Sequence, residues 1–420
     1  MDLRKEIKLS DLFKRKPKAP AAEQAPPAEA KEEKPKKHKQ PRKPLFERKP
    51  KAERAPRPKR SSPSLARGKK LVGLKIGASH LAAARVANGE TPELVQVARA
   101  ELEGGIVVGG ELREPDRLAE ALKKFFRDHK LPKQGVRLGI ASNRIGVRTF
   151  DVPGVEDEKQ LHNAVRFRAQ EALPIPLDEA VLDYHVLSDL VNDEGVRVRR
   201  VLLVVAYREL VDRYVAACRK AGLKLAGIDL EGFAALRALA GDMPSQSNAA
   251  VVVASIGHDR STLAVSDGTV CEFTRVIDWG GQNLNVAIAR ALDMAPSEAE
   301  PIKHSISLLD PAEAWEGLAA EQAVRVREAV QTELQVFVRE LISSLQFYQG
   351  QPGSLGIGEI VISGGTAQLP GIDAELGRLM GVRVRIGDPL ARVRRGKRVA
   401  EDQSFGSLAV AIGLGIEEAA

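Results

Sequence analysis

One short pattern occurs twice in the chain, and this repeat is the feature that most constrains its fold. Leu71–Ser79 is an apolar run that ends in Ile-Gly and polar turn residues, and Val251–Asp259 repeats that arrangement. Each copy is followed by a second strand-like run, Leu81–Val86 in the first case and Thr262–Val265 in the second. Two strands joined by a glycine-containing turn form a hairpin. One such turn is ordinary chain chemistry, but the repeat predicts two equivalent hairpins.

The glycines of these turns indicate what the hairpins could bind. Glycine lets a backbone approach a ligand closely and turn its N–H groups toward an anion. Two such hairpins that face each other would hold a polyphosphate from both sides. The repeat therefore predicts a phosphate-binding cleft between two halves of the chain.

The charge of the chain is divided unevenly between a tail and a body. The first 70 residues contain 24 Lys plus Arg against 9 Asp plus Glu, a net charge of +15, and 11 of the 24 prolines. The remaining residues carry 40 basic and 47 acidic side chains, a net charge of −7. The mildly acidic body argues against nucleic acid as a partner. Residues 17–67 lack periodicity and are nearly free of aromatics, which predicts a disordered, extended linker.

The amino-terminal tip and the cysteines bear on the location of the protein. Met1–Phe13 has apolar residues on one helical face before a basic cluster, which is typical either of an amphipathic anchor for anionic lipid or a partner groove, or of a disordered tip. No apolar run reaches the length of a membrane span, and the charged start lacks the apolar core of a signal peptide. Cys218 and Cys271 imply no disulfide framework. The sequence thus predicts a cytoplasmic protein.

The periodicity of the remaining chain predicts alternating strands and helices. The longest helix, 323–348, carries an apolar stripe at alternating four- and three-residue steps, which indicates core packing. A helix, two strands and a helix between the two hairpins predict a small inserted α+β unit. The predicted division is a tail at 1–69, a first lobe at 70–152, an inserted subdomain at 153–224, the return of the first lobe at 225–247, a second lobe at 248–400 and a closing helix at 401–420.

Three further segments give the order of elements a family resemblance. They are the glycine-rich stretch 103–115, the helix, Ile-Pro turn and strand of 164–184, and the loop 362–371 around Gly364-Gly365. In this order they resemble the actin-like ATPase superfamily, and within it the PilM family of type IV pilus assembly proteins, which is related to FtsA. The resemblance covers residues 70 to about 417. It implies an α/β, actin-like (ribonuclease H-like) fold with two lobes and a small inserted α+β subdomain.

The resemblance also implies ATP as the cofactor and a set of residues that bind it. Members of the superfamily carry Asp before the Ile/Leu-Gly of both hairpins, where the carboxylates hold hydrated Mg²⁺. Lys75 and Ser255 stand at these positions, so the predicted site has no metal ligand and Mg²⁺ dependence is in doubt. Lys75 would either meet a phosphate oxygen in place of Mg²⁺ or remain a solvated lysine. The predicted backbone-binding residues are Gly77, Ala78, Ser79, Gly257, Gly364, Gly365 and Thr366.

The acid that orients the attacking water in hydrolytic relatives corresponds to Glu231. This residue would be the one catalytic group, or alternatively an acid that complements the dipole of a helix amino terminus. Phosphoryl transfer depends on positioning and on charge neutralisation by metal and cations. The loss of both metal-side carboxylates should therefore reduce catalysis more than binding, which predicts a pseudo-ATPase.

The resemblance implies two functions, and the absent aspartates favour the first of them. The first is a cytoplasmic scaffold, at the inner face of the cell membrane, that docks the cytoplasmic N-terminal peptide of a membrane-anchored, PilN-like pilus assembly protein. The second is an active FtsA-like ATPase or filament-forming protein that is tethered to the membrane. In either case residues 1–70 offer contact with an anionic membrane surface, and no nucleic acid is expected.

Overall fold

A computed structural model describes residues 70–172, 176–192, 195–240, 249–268, 270–311, 315, 317–351, 353–400 and 405–417. The predictions for the basic tail and for Met1–Phe13 lie outside the described residues. Within the described ranges, no helix combines the length and the apolar content that a membrane span requires.

The elements alternate between strands and helices along most of the chain. The strands are β1 (Lys70–Ile76), β2 (His80–Ala87), β3 (Glu93–Glu101), β4 (Val107–Val108), β5 (Glu111–Leu112), β6 (Gln134–Ile140), β7 (Ile145–Pro153), β8 (Ala180–Val191), β9 (Arg197–Tyr207), β10 (Lys224–Leu230), β11 (Ala249–Ile256), β12 (Ser261–Ser266), β13 (Cys271–Ile277), β14 (Gly356–Ser363), β15 (Arg383–Ile386) and β16 (Arg394–Arg395). The helices are α1 (Pro115–Asp128), α2 (Glu158–Ala172), α3 (Arg208–Lys220), α4 (Glu231–Leu239), α5 (Gly281–Leu292), α6 (Pro296–Ser305), α7 (Ala320–Gln349), α8 (Ile372–Met380) and α9 (Ala409–Gly415).

Both predicted hairpins are present, and each lies at the centre of its own sheet. The first sheet has the order β10-β6-β1-β2-β3-β16, and the second has the order β13-β12-β11-β14-β15. In both sheets the first hairpin strand also pairs in parallel with a later strand, β1 with β6 and β11 with β14. The repeat in the sequence therefore corresponds to a repeat in topology.

The central strands are buried on both faces, which explains why they read as continuous apolar runs. In β11, Ala250, Val252 and Ala254 face the core of the second lobe, while Val251 and Val253 face a separate core that also contains α4 and α9. The stripe predicted on the longest helix, α7, lies in the core of the second lobe.

A smaller sheet with the order β7-β9-β8 lies between β6 and α3 along the chain. Helix α2 packs on this sheet through Leu161, Val165 and Ala169. Helix α3 contributes to the core of the first lobe, together with α1 and β6. The small α+β unit is present as predicted, but its sheet also includes β7, which was predicted as a strand of the first lobe, and its second helix contributes to the core of the first lobe. The limits 153 and 224 stay a prediction.

Two short helices lie between the two large sheets and join them. Helix α9 packs on β1, β2 and β6 of the first sheet, α4 packs on β11, β12 and β13 of the second, and the two helices pack on each other. The backbones come close because glycines lie at the contacts. A Cβ on Gly413 would overlap the carbonyl oxygen of Ala234, and one on Gly73 would overlap that of Ala411.

Several elements differ from the expectations of the sequence. The closing helix is predicted at 401–420, but α9 covers only Ala409–Gly415 and follows a 3-10 turn at Gly406–Leu408. Helix α6 and the two-residue strands β4, β5 and β16 show no periodic pattern of apolar residues in the sequence. Contacts with the rest of the fold stabilise these elements, so the sequence alone did not predict them. Trp279 stacks on Phe337 with 4.1 Å between ring centroids and belongs to the core of the second lobe.

The contact between α4 and α9 yields a test of how the lobes are joined. Gly413→Ala should lower the free energy of unfolding by about 1–3 kcal/mol, because the added methyl forces two helix backbones apart. Alanine is otherwise the better helix former, so the intrinsic preference acts in the opposite direction. Urea unfolding measures the change. Gly146→Ala is the matched control, since no atom lies within 4 Å of its Cβ position, and equal stability of the two variants would contradict this account.

Candidate functional site

The turns of the two hairpins have the same closing hydrogen bond. The Gly77 N–H donates to the carbonyl of His80, and the Gly257 N–H donates to the carbonyl of Arg260, both at 2.9 Å. In each case the glycine follows the last residue of the first strand, Ile76 or Ile256. The turns are therefore equivalent in local structure as well as in sequence.

The two turns line one cavity of about 550 Å³. Nine of the ten sequence-predicted site residues border it, namely Lys75, Gly77, Ala78, Ser79, Glu231, Ser255, Gly257, Gly365 and Thr366. Pockets of about 300–1,000 Å³ are typical of small-molecule sites, and a nucleotide falls in that range. The sequence thus identified the residues that the fold brings together, although it does not establish what they bind.

The tenth residue, Gly364, does not border the cavity, and its role is to shape the backbone next to it. Its φ of +100° is in the region that favours glycine, and a Cβ there would overlap the carbonyl oxygen of Ile256. The loop that it begins is held to the second hairpin, since the Thr366 hydroxyl donates to the Gly257 carbonyl at 2.8 Å. Gly364 thus allows Gly365 and Thr366 to reach the cavity wall.

Lys75 and Glu231 form an ion pair at the base of the cavity. Lys75 Nζ lies 3.3 Å from Glu231 Oε2, and the side chains are 18% and 5% exposed. Lys75 is the penultimate residue of β1, next to the hairpin turn, and Glu231 is the first residue of α4. Each side chain therefore neutralises the other, which is an arrangement that neither residue predicts alone.

Helix α6 supplies a wall of the cavity that the sequence did not indicate. Its Lys303 is 8% exposed, and its Glu300, His304 and Lys303 all border the cavity. Burial lowers the pKa of Lys303, and the nearby Glu300 carboxylate opposes this shift. The Nζ atom lies close to Gly281 at the start of α5 and near Thr366. Pro296 at the first helical position was a usable signal for this helix, but Pro301 inside it interrupts the apolar pattern.

Two histidines follow the hairpin glycines and face the same space. Burial lowers the pKa of His80, with a further lowering from Arg99, and burial also lowers the pKa of His258. Ser79 Oγ is hydrogen-bonded to His80 Nδ1 at 3.0 Å. Among the described residues no group of three or more His, Cys, Asp or Glu side chains is arranged to hold a metal ion. The lowered pKa values of both rings favour the neutral imidazole, which can donate and accept hydrogen bonds.

The second hairpin is also tied directly to the first lobe. Asp259 Oδ2 accepts a hydrogen bond from the Gly109 N–H at 3.0 Å, and the Asn143 side chain donates to Asp278 at 2.7 Å. Arg260 is 7% exposed, and a Cβ on Gly110 would overlap its guanidinium. The glycine-rich stretch around Gly109-Gly110 thus provides space for a charged side chain from the opposite lobe.

These features together define the class of protein. Two sheets that each carry an equivalent hairpin at the edge of a shared cleft, with helices α4 and α9 between them, form the actin-like ATPase fold. A sequence model of the family described as type IV pilus assembly protein PilM matches residues 73–419. The chain therefore belongs to this PilM family, and the fold class that the sequence predicted is confirmed.

Known relatives agree with this assignment. The chain resembles a PilM–PilN type IV pilus biogenesis complex, with a TM-score of 0.69 and 26% identity over 82% of this chain and 97% of that one. FtsA, the cell division protein of Escherichia coli K12, is 29% identical over 274 residues, which cover 59% of this chain and 64% of FtsA. FtsA of Bacillus subtilis is 24% identical over 310 residues. The chain thus spans less than two thirds of the length of the first of these division proteins.

The ion pair in the cavity generates a prediction about stability. Lys75→Met leaves the Glu231 carboxylate buried without its partner, and we expect this to lower the free energy of unfolding by about 1–3 kcal/mol. Glu231→Gln in the Lys75→Met background should recover most of that loss, because the uncompensated charge is gone. Urea unfolding of the two single variants and the double variant gives the coupling free energy.

The matched control for this cycle is the exposed pair between Lys220 and Asp116. These groups are 2.8 Å apart, but their side chains are 59% and 79% exposed. Lys220→Met should cost about 0–1 kcal/mol, since solvent screens such a pair. Equal losses for Lys75→Met and Lys220→Met would show that burial gives the pair in the cavity no special role.

Proposed function

We propose that the protein is a cytoplasmic actin-like scaffold of the type IV pilus assembly machinery. It docks the cytoplasmic N-terminal peptide of a membrane-anchored, PilN-like pilus protein, and it binds nucleotide without efficient hydrolysis. The observation that carries this proposal is the 26% identity, over 97% of its length, to a chain described as part of a PilM–PilN complex. Membership of the PilM family supports the same role.

The cavity supports ATP as the ligand of the scaffold. Its volume of about 550 Å³ suits a nucleotide, and backbone glycines from both hairpins and from the Gly365 loop border it. Two cations that border the cavity, buried Lys303 and exposed Arg99, would meet the phosphates. The phosphates would lie between the two turns, where Gly77 and Gly257 allow close approach of the backbone.

The Lys75–Glu231 pair supports binding without efficient turnover. Phosphoryl transfer needs a carboxylate that is free to position water and a cation that neutralises the phosphate charge. In this chain the buried acid of the site is engaged by Lys75 at 3.3 Å. A phosphate that recruits Lys75 would separate that pair and leave Glu231 buried next to another anion, which is unfavourable. The site is therefore better suited to holding a nucleotide than to cleaving it.

The basic tail supports a position near the membrane. With a net charge of +15, residues 1–70 would be attracted to the anionic lipids of the inner leaflet. Together with the partner peptide, this contact would hold the protein at the inner face of the cell membrane.

The similarity to FtsA favours a second candidate function. In that case the chain would be an active ATPase or a filament-forming protein, like the division protein with which it shares 29% identity over 274 residues. Turnover distinguishes the two, since the scaffold needs only nucleotide binding.

Nucleotide handling can be tested with purified full-length protein. We expect ATP to bind in calorimetry with EDTA as well as with Mg²⁺, and phosphate release to stay near the rate of a protein-free control, because Lys75 and Glu231 occupy each other. Lys220→Met serves as a control that should leave both results unchanged. Binding that strictly requires Mg²⁺ would contradict a metal-independent site, and robust Mg²⁺-dependent release would establish the active ATPase instead.

Peptide docking is tested with the cytoplasmic N-terminal peptide of the membrane-anchored pilus protein encoded in the same genome. We expect fluorescence anisotropy of the labelled peptide to rise on addition of the protein, since an extended peptide that docks on a folded surface tumbles with it. A peptide of the same composition in scrambled order should show no rise. Equal binding of both peptides would contradict specific docking, whatever the outcome with ATP.

A further inference from the structure

We propose that the end of the first sheet opposite to the cavity is a docking face for an anionic lipid bilayer. This face, called the basic face below, consists of the exposed cations Lys70, Lys130, Lys133, Lys224, Arg394, Arg395, Lys397 and Arg398. The inference concerns the folded body, and it stands independently of nucleotide binding and peptide docking. It specifies which end of the first lobe faces the bilayer, in addition to the attraction between the basic tail and anionic lipid.

The pairing of the strands places the cations of β10, β1 and β16, Lys224, Lys70 and Arg394, in one row. Lys70 lies opposite Ala87, Ala87 lies opposite Glu93, and Glu93 lies opposite Arg394. On the other side of β1, the parallel register with β6 brings Gln134 level with Lys70, and Gln134 in turn pairs with Lys224. Six strands at about 4.8 Å spacing make the row about 24 Å wide. Lys224, Lys70 and Arg394 therefore lie at the same end of the sheet.

Most of the cations in the row are available for an external partner. Lys70, Lys133 and Lys224 are exposed and form no ion pair with other residues in the described ranges. Arg394 is shared, since it lies 3.2 Å from Glu93. Among the described residues, the acidic side chains at this end are fewer than the cations, and they are Glu90, Glu93, Asp128 and Glu417. Asp128 is paired with Arg127 at 2.9 Å, so it subtracts little from the net positive charge.

The carboxyl-terminal part of the basic face is held in a fixed conformation. Val393 and Val399 are buried in the core between β2, β3 and α9. Gly396 packs on β3 so closely that a Cβ would lie 2.5 Å from the carbonyl oxygen of Leu94. The residues between these anchors, Arg394, Arg395, Lys397 and Arg398, are all exposed. The core thus presents them outward as a ridge.

The attachment point of the tail favours a membrane as the partner. The first 70 residues, with 24 basic and 9 acidic side chains, join the body at Lys70, in the middle of the row. The tail begins with Met1–Phe13, whose leucine, isoleucine and phenylalanine side chains suit the interface of a bilayer but not the phosphate backbone of a nucleic acid. The body as a whole has a net charge of −7, so a concentration of cations at one end orients it toward an anionic surface.

The orientation is compatible with an open cavity. Lys70 and Lys75 lie at opposite ends of β1, and Lys75 borders the cavity whereas Lys70 lies in the basic face. Strands of this length separate the two ends by about 17 Å, at about 3.3 Å per residue. A bilayer at the basic face would therefore leave the cavity on the side that faces the cytoplasm.

The test uses full-length protein and sedimentation with vesicles of phosphatidylcholine alone or mixed with phosphatidylglycerol, at low salt. We expect binding only to the anionic vesicles, and we expect Lys133→Glu together with Lys224→Glu to weaken it about tenfold or more. The matched control reverses two exposed arginines of α7, Arg325 and Arg339, to Glu, which changes the net charge equally. This control should change binding less than about twofold, because α7 lies in the other lobe and falls outside the screening length.

Each outcome decides the question. Equal losses in the two double variants would mean that net charge alone acts, and unchanged binding of the Lys133 and Lys224 variant would mean that the tail acts without the body. Either result overturns the basic face. Tighter binding to duplex DNA than to anionic vesicles, with the same sensitivity to Lys133 and Lys224, would assign the face to nucleic acid and also overturn the proposal. Unchanged thermal unfolding midpoints show that the variants are folded.

Discussion

The contact between helices α4 and α9 is the constraint on which the rest of the structure depends. It joins the two sheets, and it does so with backbone against backbone, because Gly413 lies on the carbonyl of Ala234 and Gly73 lies on that of Ala411. Larger residues at these positions would move the sheets apart by the width of a side chain. Since each central strand ends in one of the two hairpins, this separation also sets the width of the cavity.

The same contact explains why the charges in the cavity are paired within the protein. Helix α4 begins with Glu231, so the helix that joins the lobes also brings a carboxylate to Lys75 on β1. At the second hairpin, the guanidinium of Arg260 occupies the space next to Gly110, where a Cβ would lie, and Asp259 accepts a hydrogen bond from the Gly109 N–H. The hairpins are thus held in place by contacts between lobes. The attraction between the two lobes at the hairpins thus comes from side chains and backbone of the protein itself.

The sequence predicted the fold because its strongest local signal occurs twice. A glycine turn after an apolar run is ambiguous once, but its second occurrence at Gly257 specified two equivalent hairpins. The family resemblance added the other predicted residues, and nine of the predicted residues border one cavity. What the sequence could not predict depends on tertiary contact. Lys303 lies on a helix whose pattern Pro301 interrupts, and the space for Arg260 exists only because Gly110 comes from a segment 150 residues away. The ion pair between Lys75 and Glu231 likewise follows from the packing of α4. Strand β16 is too short for any periodic signal.

The charge distribution adds a direction to this architecture. The parallel strands β1, β6 and β10 all begin at the end of the sheet where the exposed lysines lie, and Lys75 near the end of β1 and Glu231 directly after β10 border the cavity. Exposed lysines at the start of strands cost little, because they remain in water, whereas the ends of the strands carry the buried pair of Lys75 and Glu231. One end of the lobe is thus free to meet an extended anionic surface, while the other encloses a small ligand. The topology of a parallel sheet separates the two functions by the length of its strands, so a change at one end need not disturb the other.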